Sequence, residues 1–333
     1  MNVINESKIV YRLKALALVS IVAAHSPYTM LNNGIVLSFF QRFSTVGVVI
    51  FFFLSGYYYS VDGFKQKYNF SKFWKKKIKN LIIPWLVNGS LYFILLTVSG
   101  TKQMNGLEYI NFIIGNGSVL YYLTMLCICY LICWNFLKRK TFLWGCVIVT
   151  IISVLLTGCE KNGTYLNMWN PYMNVLNWIG FFAFGILAKR NNWNIILKKL
   201  TTKKNAGTTM VVCTIFAIMF MWLDNNNSYW SACSIPIEIL LATILLILAI
   251  KCPRKMESAL EYVGSITLPI YLWHIPIQNR VLVGEYLMNS VFIAAIRPIA
   301  TIALMAIVIY GLKLITRLLH IENIYCLLLG VRK

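Results

Sequence analysis

Acidic residues are scarce in this sequence of 333 residues. Asp and Glu number 10 against 31 Lys and Arg, and charged residues of both signs make up only 12% of the chain. A soluble domain of this length carries about twice that charged fraction. Hydrophobic residues reach 59%, and apolar runs long enough to cross a bilayer recur along the whole chain. The composition therefore predicts an all-α, polytopic membrane protein.

Several motifs that would define other classes of site are missing. The nine cysteines form no C-x-x-C pair and the three histidines form no neighbouring pair, so the sequence predicts neither a disulfide framework nor a metal site. No G-x-S-x-G is present, which excludes a nucleophile elbow. No internal repeat is visible, so the inverted-repeat plan of many transporters has no support.

We predict about ten transmembrane helices in a single membrane domain, 1–333, with its core at about 10–312 and a short cytoplasmic tail at 313–333. The tail, which contains "LLHIENIYCLLLG", is compatible with an amphipathic helix on the inner surface. The predicted spans lie near 12–31, 43–60, 81–99, 118–137, 142–157, 173–188, 206–223, 232–250, 265–283 and 291–312.

The distribution of basic residues orients these spans. With both termini in the cytoplasm, 26 of the 31 Lys and Arg residues fall on the inner side. Five fall outside: Arg42, Lys102, Lys161, Arg280 and Arg297. The positive-inside rule thus accounts for the net charge of +21 without a nucleic-acid partner. The lipid bilayer is the expected environment, and inner lysines are suited to anionic lipid or a phosphorylated cofactor.

The first run, "RLKALALVSIVAAHSPY", places Lys14 eleven residues before His25. On a continuous helix the two side chains share a face, about 16 Å apart along the axis. A snorkelling lysine and a packed histidine would also fit this pattern. However, ionisable residues inside a span are costly and tend to mark sites, which favours a functional His25.

Two further stretches carry basic residues at span boundaries. Arg42 begins "RFSTVGVVIFFFLSGYYYS", where Ser55 and Gly56 permit a close helix approach. An interfacial anchor is the plain alternative for Arg42. The stretch "SKFWKKKIKNLIIPWL" places Lys76 and Lys79 in a lysine cluster at the predicted inner face. The positive-inside rule alone would account for that cluster. Lysines also bind phosphate, however, and coenzyme A carries several phosphates.

The stretch "YVGSITLPIYLWHIPIQNR" forms a polar stripe at helical spacing. A stripe of this kind inside a span faces protein or water, so we expect Tyr271 and His274 to line a site. A structural hydrogen bond is the alternative for His274. Glu238 lies within another span, where it can orient a histidine or pair with Arg42 or Arg297.

These stretches, in this order, resemble the acyltransferase-3 family of membrane O-acyltransferases. The family has a basic residue and a histidine in its first span with ten residues between them, matched by Lys14 and His25. It has an "FFFLSGY"-like second span, matched at 51–57, and an R-x-x-R pair, matched by Lys76 and Lys79. Its later elements resemble "VLYYLTML", "FFAFGILAKR" and "VGSITLPIYLWHIPI". Lysine stands where the family usually has arginine and lacks arginine's bidentate fork.

The resemblance implies transfer of an acyl group, usually acetyl, from cytoplasmic acyl-CoA to a hydroxyl. The acceptor is typically a cell-envelope glycan or a lipid-linked sugar, and the stand-alone type is expected in the bacterial plasma membrane. We expect Lys14, Lys76 and Lys79 to hold the donor and His25 to act as general base. Arg42, His274 or Tyr271 are candidate oxyanion donors. Direct transfer and an acyl-histidine intermediate both remain open.

A transporter or flippase for a lipid-linked sugar or small anion is the main alternative. It would use the same buried polar groups without chemistry, but the sequence lacks paired broken spans and has few membrane acids for proton coupling. A purely structural membrane protein explains the order of the motifs least well. The sequence leaves the identity of the acceptor, the acyl group and the oligomeric state open.

Overall fold

The computed structural model describes residues 6–25, 34–65, 69–159, 171–191, 202–223, 233–278 and 291–331. Within these ranges the regular structure is helical, as the composition predicts, and no strand is present. The helices are α1 Glu6–Ala23, α2 Gly34–Lys65, α3 Phe70–Val98, α4 Gly106–Ile114, α5 Tyr121–Trp134, α6 Lys140–Cys159, α7 Ile179–Arg190, α8 Lys203–Leu223, α9 Ser234–Ile250, α10 Arg254–Ser265, α11 Thr267–Gln278, α12 Val291–Leu318 and α13 Glu322–Leu329.

Four helical segments are long and apolar enough to cross a membrane: Phe70–Val98, Lys140–Gly158, Asn205–Leu223 and Ala295–Leu318. A fifth is possible if α9 and α10, which meet at 120°, form one broken span. The described part of the chain is therefore all-helical, and its apolar helices are those expected of a membrane protein. A helix overlaps each of the ten predicted spans, and the assignment of all ten as crossings stays a prediction.

Several predicted boundaries were wrong. The first helix ends at Ala23 rather than near 31, and Ala24 and His25 form a turn. Pro27 follows closely, and proline disfavours helical geometry in the residue before it. The predicted span at 173–188 becomes a helix only from Ile179. The Asn174 side chain accepts a hydrogen bond from the Leu176 N–H, which favours a 3₁₀ turn there.

Helix α2 lies at the centre of the packing and contacts α1, α7 and α9. Its closest approach is to α7, where Gly56 faces the backbone of Phe182 and Gly185 faces that of Phe53. A Cβ atom at either glycine would collide with a carbonyl oxygen. The close approach predicted at Gly56 is therefore confirmed, and it brings the aromatic residues of α2 into the core.

An ion pair fixes α1 to α10. The Arg12 guanidinium is buried and donates hydrogen bonds of 2.6 and 2.9 Å to Glu261, and it lies 2.9 Å from a Glu257 carboxylate oxygen. Gly264 permits this crossing, because a Cβ atom there would collide with the Tyr11 carbonyl. Two carboxylates of α10 thus hold the first turns of α1.

The tail helix α13 packs against α3 rather than lying apart from the core. Asn88 of α3 donates hydrogen bonds to the carbonyls of Leu328 and Pro84, at 2.8 and 2.7 Å. Its side-chain oxygen accepts a bond of 2.8 Å from the Trp273 indole. One buried amide therefore connects the tail, α3 and α11.

Candidate functional site

The candidate site is a cavity of about 410 Å³ that lies between α1, α2, α3, α4, α5 and α11. Its described lining is rich in aromatic rings and contains no acidic side chain. The lining residues are Ile21, Ala24, His25, Thr45, Val48, Tyr92, Leu96, Lys102, Phe112, Gly117, Ser118, Val119, Tyr121, Tyr172, Trp178, Tyr271 and Ile275.

One aromatic wall is built by the turn that precedes α7. The Trp178 indole donates a hydrogen bond of 3.0 Å to the Tyr172 carbonyl, and Trp178 also stacks on Phe52 at 5.3 Å. Tyr121 lies beside this pair, 5.1 Å from Tyr172 and 6.0 Å from Trp178 between ring centroids. These contacts hold three rings along one side of the cavity.

His25 lies in the turn after α1, and its exposed side chain lines the cavity. The predicted continuous helix from Lys14 to His25 is therefore interrupted two residues before the histidine. The turn places an imidazole where a molecule in the cavity can reach it. Of the three histidines, His25 is the one in the cavity lining.

The two predicted residues of α11 lie on different sides of the cavity wall. Tyr271 lines the cavity, and its hydroxyl donates a hydrogen bond to the Val119 carbonyl. His274 is fully buried and is not part of the lining. Its ring centroid lies 5.1 Å from that of His25. The structure therefore places His274 directly behind the His25 ring, which lines the cavity.

Arg42 is also buried and lies outside the cavity lining, where its guanidinium donates a hydrogen bond of 2.8 Å to the Ser234 hydroxyl. Arg42, one of the partners that the sequence offered for Glu238, is an electrostatic neighbour of its carboxyl group. The Thr45 hydroxyl donates a hydrogen bond of 3.0 Å to the Arg42 carbonyl. Thr45 itself lines the cavity. Arg42 and Glu238 thus lie buried behind one cavity-lining hydroxyl.

The three predicted donor-binding lysines lie outside the cavity lining. Lys14 is half-buried, with its ammonium 5.6 Å from the ring centroids of both Tyr11 and Tyr58. Lys76 is half-buried and Lys79 is exposed. Lys79 lies in a π-helical segment of α3, Ile78–Ile82. Such segments are rare and occur frequently at functional sites.

Sequence reasoning missed two features of the site. Arg12, only two residues before Lys14, is engaged with Glu257 and Glu261 and is not available to replace the family's arginine. The cavity residues Tyr92 and Trp178 come from elements far apart in sequence, and no local pattern marked them, whereas Tyr121 lies in the stretch "VLYYLTML" that carried part of the family resemblance. Among the aromatic residues near the predicted outer rim, Tyr172 lines the cavity, and Trp169, Tyr229 and Trp230 lie outside the described residues.

The arrangement places a solvent-accessible imidazole beside an aromatic wall in one cavity. A neutral imidazole can remove a proton from a hydroxyl, and aromatic faces can stack on a flat apolar surface such as that of a sugar ring. Within the described residues, no cluster of His, Cys, Asp or Glu is suited to hold a metal ion.

Comparison with known families gives one match. The model of the acyltransferase-3 family, described as an acyltransferase domain, matches residues 12–317. The match includes every residue of the cavity lining and every predicted site residue. Neither the curated proteins nor the solved structures gave a match.

Proposed function

Because the chain belongs to the acyltransferase-3 family, we propose that it is an O-acyltransferase of the bacterial plasma membrane. It moves an acyl group, in the simplest case acetyl, from cytoplasmic acyl-CoA to a hydroxyl of a cell-envelope glycan or lipid-linked sugar. The observation that carries this proposal is the His25 imidazole in the wall of an aromatic cavity.

His25 is the general base in this proposal. Its neutral imidazole takes the proton of the acceptor hydroxyl while the hydroxyl oxygen attacks the thioester carbonyl carbon. The tetrahedral intermediate then collapses, the carbon–sulfur bond breaks, and the coenzyme A thiolate receives the proton from His25. The lining around the base is mostly apolar, and such surroundings favour an uncharged base.

The predicted oxyanion donors fit this site unequally. Arg42 and His274 lie outside the lining, and the Tyr271 hydroxyl hydrogen is used by the Val119 carbonyl. A direct oxyanion contact from Tyr271 would therefore require its hydroxyl to leave Val119. Arg42 is better placed to act through Thr45, whose hydroxyl donates to the Arg42 carbonyl and so fixes the cavity wall beside the base.

The cavity supports a sugar acceptor. Tyr121, Tyr172 and Trp178 offer ring faces along one wall, and stacking on aromatic faces tolerates many sugar stereochemistries. Lys102, half-buried in the lining, pairs with no carboxylate among the described residues. It therefore gives the cavity a positive charge that favours an acceptor with a carboxylate or phosphate.

The donor would bind from the side that carries Lys14, Lys76 and Lys79. Coenzyme A offers several phosphates to these ammonium groups, and its thin pantetheine arm can pass between helices to His25. Replacing both Lys76 and Lys79 with Ala should raise the KM for acyl-CoA more than that for the acceptor. The effect should shrink at high salt, because exposed charges are screened. Unchanged coenzyme A affinity would leave these lysines with a role in topology alone.

The proposed topology has ten spans with both termini in the cytoplasm. It rests on the basic asymmetry and on the helix that overlaps each predicted span. Single cysteines introduced at positions 33, 102, 161 and 226 of a cysteine-free protein should react with an impermeant maleimide added from outside. Reaction only after the cytoplasmic side is opened would reverse the orientation.

Transfer of labelled acetyl from acetyl-CoA by the purified protein tests the function directly. We expect labelled ester on a glycan or lipid-linked acceptor, with release of free coenzyme A. Labelled acceptor that crosses the bilayer of a proteoliposome without forming an ester would indicate a transporter or flippase instead. The double Lys76→Ala, Lys79→Ala variant serves as a donor-site control with an intact cavity.

A further inference from the structure

His274 occupies an unusual position for a polar side chain. Its side chain is fully buried on α11 and does not touch the cavity. The nearest described aromatic ring is that of His25, whose centroid lies 5.1 Å away with the ring planes tilted by 50°. His25 thus lies in the cavity wall, with His274 in the layer behind it.

The hydrogen bond that His274 makes fixes its tautomer. Nδ1 lies 2.6 Å from the Tyr271 carbonyl oxygen. A carbonyl oxygen can only accept, so Nδ1 carries the hydrogen. In the neutral ring, Nε2 is then a lone-pair acceptor. The backbone of the same helix therefore determines which nitrogen of His274 faces the site.

The Nε2 atom of His274 is buried and makes no hydrogen bond within the described part of the chain. A buried acceptor without a partner costs about 1–3 kcal/mol, and such groups in a folded protein call for an explanation. The adjacent ring of His25 carries two nitrogens and lies in a turn rather than in a helix. Rotation of the His25 ring about its side-chain bonds can turn an N–H toward this Nε2 atom.

We propose that His274 is a positioning residue for His25. Its Nε2 accepts a hydrogen bond from one ring N–H of His25, which leaves the other His25 nitrogen as a lone pair directed at the acceptor hydroxyl. The inference rests on the proposed function and revises the role expected from the sequence. His274 acts through His25 and not as an oxyanion donor.

The proton balance follows from this arrangement. The hydroxyl proton moves to the cavity-facing nitrogen of His25 as the new carbon–oxygen bond forms, and the carbon–sulfur bond breaks. The same proton then moves to the departing thiolate. The N–H of His25 that faces His274 stays in place throughout, so His274 remains neutral. The logic is that of a base held in one tautomer by a second group, here an imidazole instead of a carboxylate.

Two substitutions separate positioning from packing. His274→Gln keeps an acceptor oxygen on a side chain of similar reach, whereas His274→Phe fills the space with a ring that cannot accept a hydrogen bond. We expect His274→Phe to lower kcat by roughly 10²-fold, with KM for both substrates changed by less than about twofold. His274→Gln should recover most of that kcat. The control is His320→Gln, the same substitution at an exposed histidine in the turn before α13.

Equal kcat values for the two variants, at matched folding, would overturn the proposal, whether both are active or both inactive. A second readout is independent of turnover. In ring-¹⁵N histidine samples of the His320→Gln protein in lipid, solid-state NMR should show His25 as a single neutral tautomer. Adding His274→Phe should give a mixture, and an unchanged His25 tautomer would refute the positioning role. If the wild type transfers no acyl group, the proposed function fails while this tautomer test still stands.

Discussion

Arg12 and Lys14 offer a matched pair of basic residues with opposite predicted roles. They lie two positions apart on α1, yet Arg12 is buried against Glu257 and Glu261 while Lys14 is half-buried beside Tyr11 and Tyr58. Replacing Arg12 with Met should destabilise the fold and leave donor affinity intact. Replacing Lys14 with Met should lower donor affinity and leave the stability of the fold intact.

The magnitude follows from the geometry of the ion pair. Removing one partner of a fully buried pair costs about 3–5 kcal/mol, because the other charge stays buried and unpaired. Here the Glu261 and Glu257 side chains are 22% and 34% exposed, so water compensates part of the loss. We therefore expect a loss of about 1–3 kcal/mol for Arg12→Met. The stability of Arg12→Lys should lie between those of the wild type and Arg12→Met, since an ammonium lacks the fork that reaches both carboxylates.

Thermal unfolding in detergent, followed by the loss of monodisperse protein, measures the stability of each variant. Coenzyme A titration measures donor affinity on the same samples. In a double-mutant cycle, Arg12→Met should cost much less when Glu261→Gln is already present. Full stability of Arg12→Met, or a loss of donor affinity as large as that of Lys14→Met, would refute the separation of roles.

Two further predictions concern the cavity and the helix packing. Lys102→Glu should raise the KM for an acceptor that bears a carboxylate or phosphate by about fivefold or more, because attraction becomes repulsion. The KM for a neutral acceptor should change little. Equal effects on both acceptors would exclude a role for the charge of Lys102. Lys102→Gln serves as the neutral control in those kinetics. Gly56→Val should prevent a stable fold, because its side chain would enter the Phe182 backbone. Wild-type yield and melting temperature for Gly56→Val would contradict the α2–α7 packing, and Gly145→Val, where nothing lies near the added Cβ, provides the comparison.

The sequence predicted the helical membrane fold because hydrophobic runs and basic asymmetry are local properties. The position of His25 was predicted less well. Helical periodicity predicted a continuous helix from Lys14 to His25, but α1 ends at Ala23. Pro27 was the signal that favoured an early end.

Contacts between distant segments were beyond sequence reasoning. The choice of Arg42 as the electrostatic neighbour of Glu238, and of Glu257 and Glu261 as partners of Arg12, depends on how helices pack. The polar stripe on α11 predicted that this helix faces protein or water, and α11 lines the cavity. It did not distinguish Tyr271, which reaches the cavity, from His274, which lies behind His25, because that difference depends on the position of α1.

The central claim is that His25 is the base in acyl transfer, and single-turnover kinetics test it most directly. Purified wild type and His25→Gln, both monodisperse and both shown to bind coenzyme A, are mixed with labelled acetyl-CoA and a hydroxyl acceptor. The account predicts that His25→Gln binds the donor normally and transfers the acetyl group about 10²–10⁴-fold more slowly. Transfer at close to the wild-type rate by folded His25→Gln would contradict it.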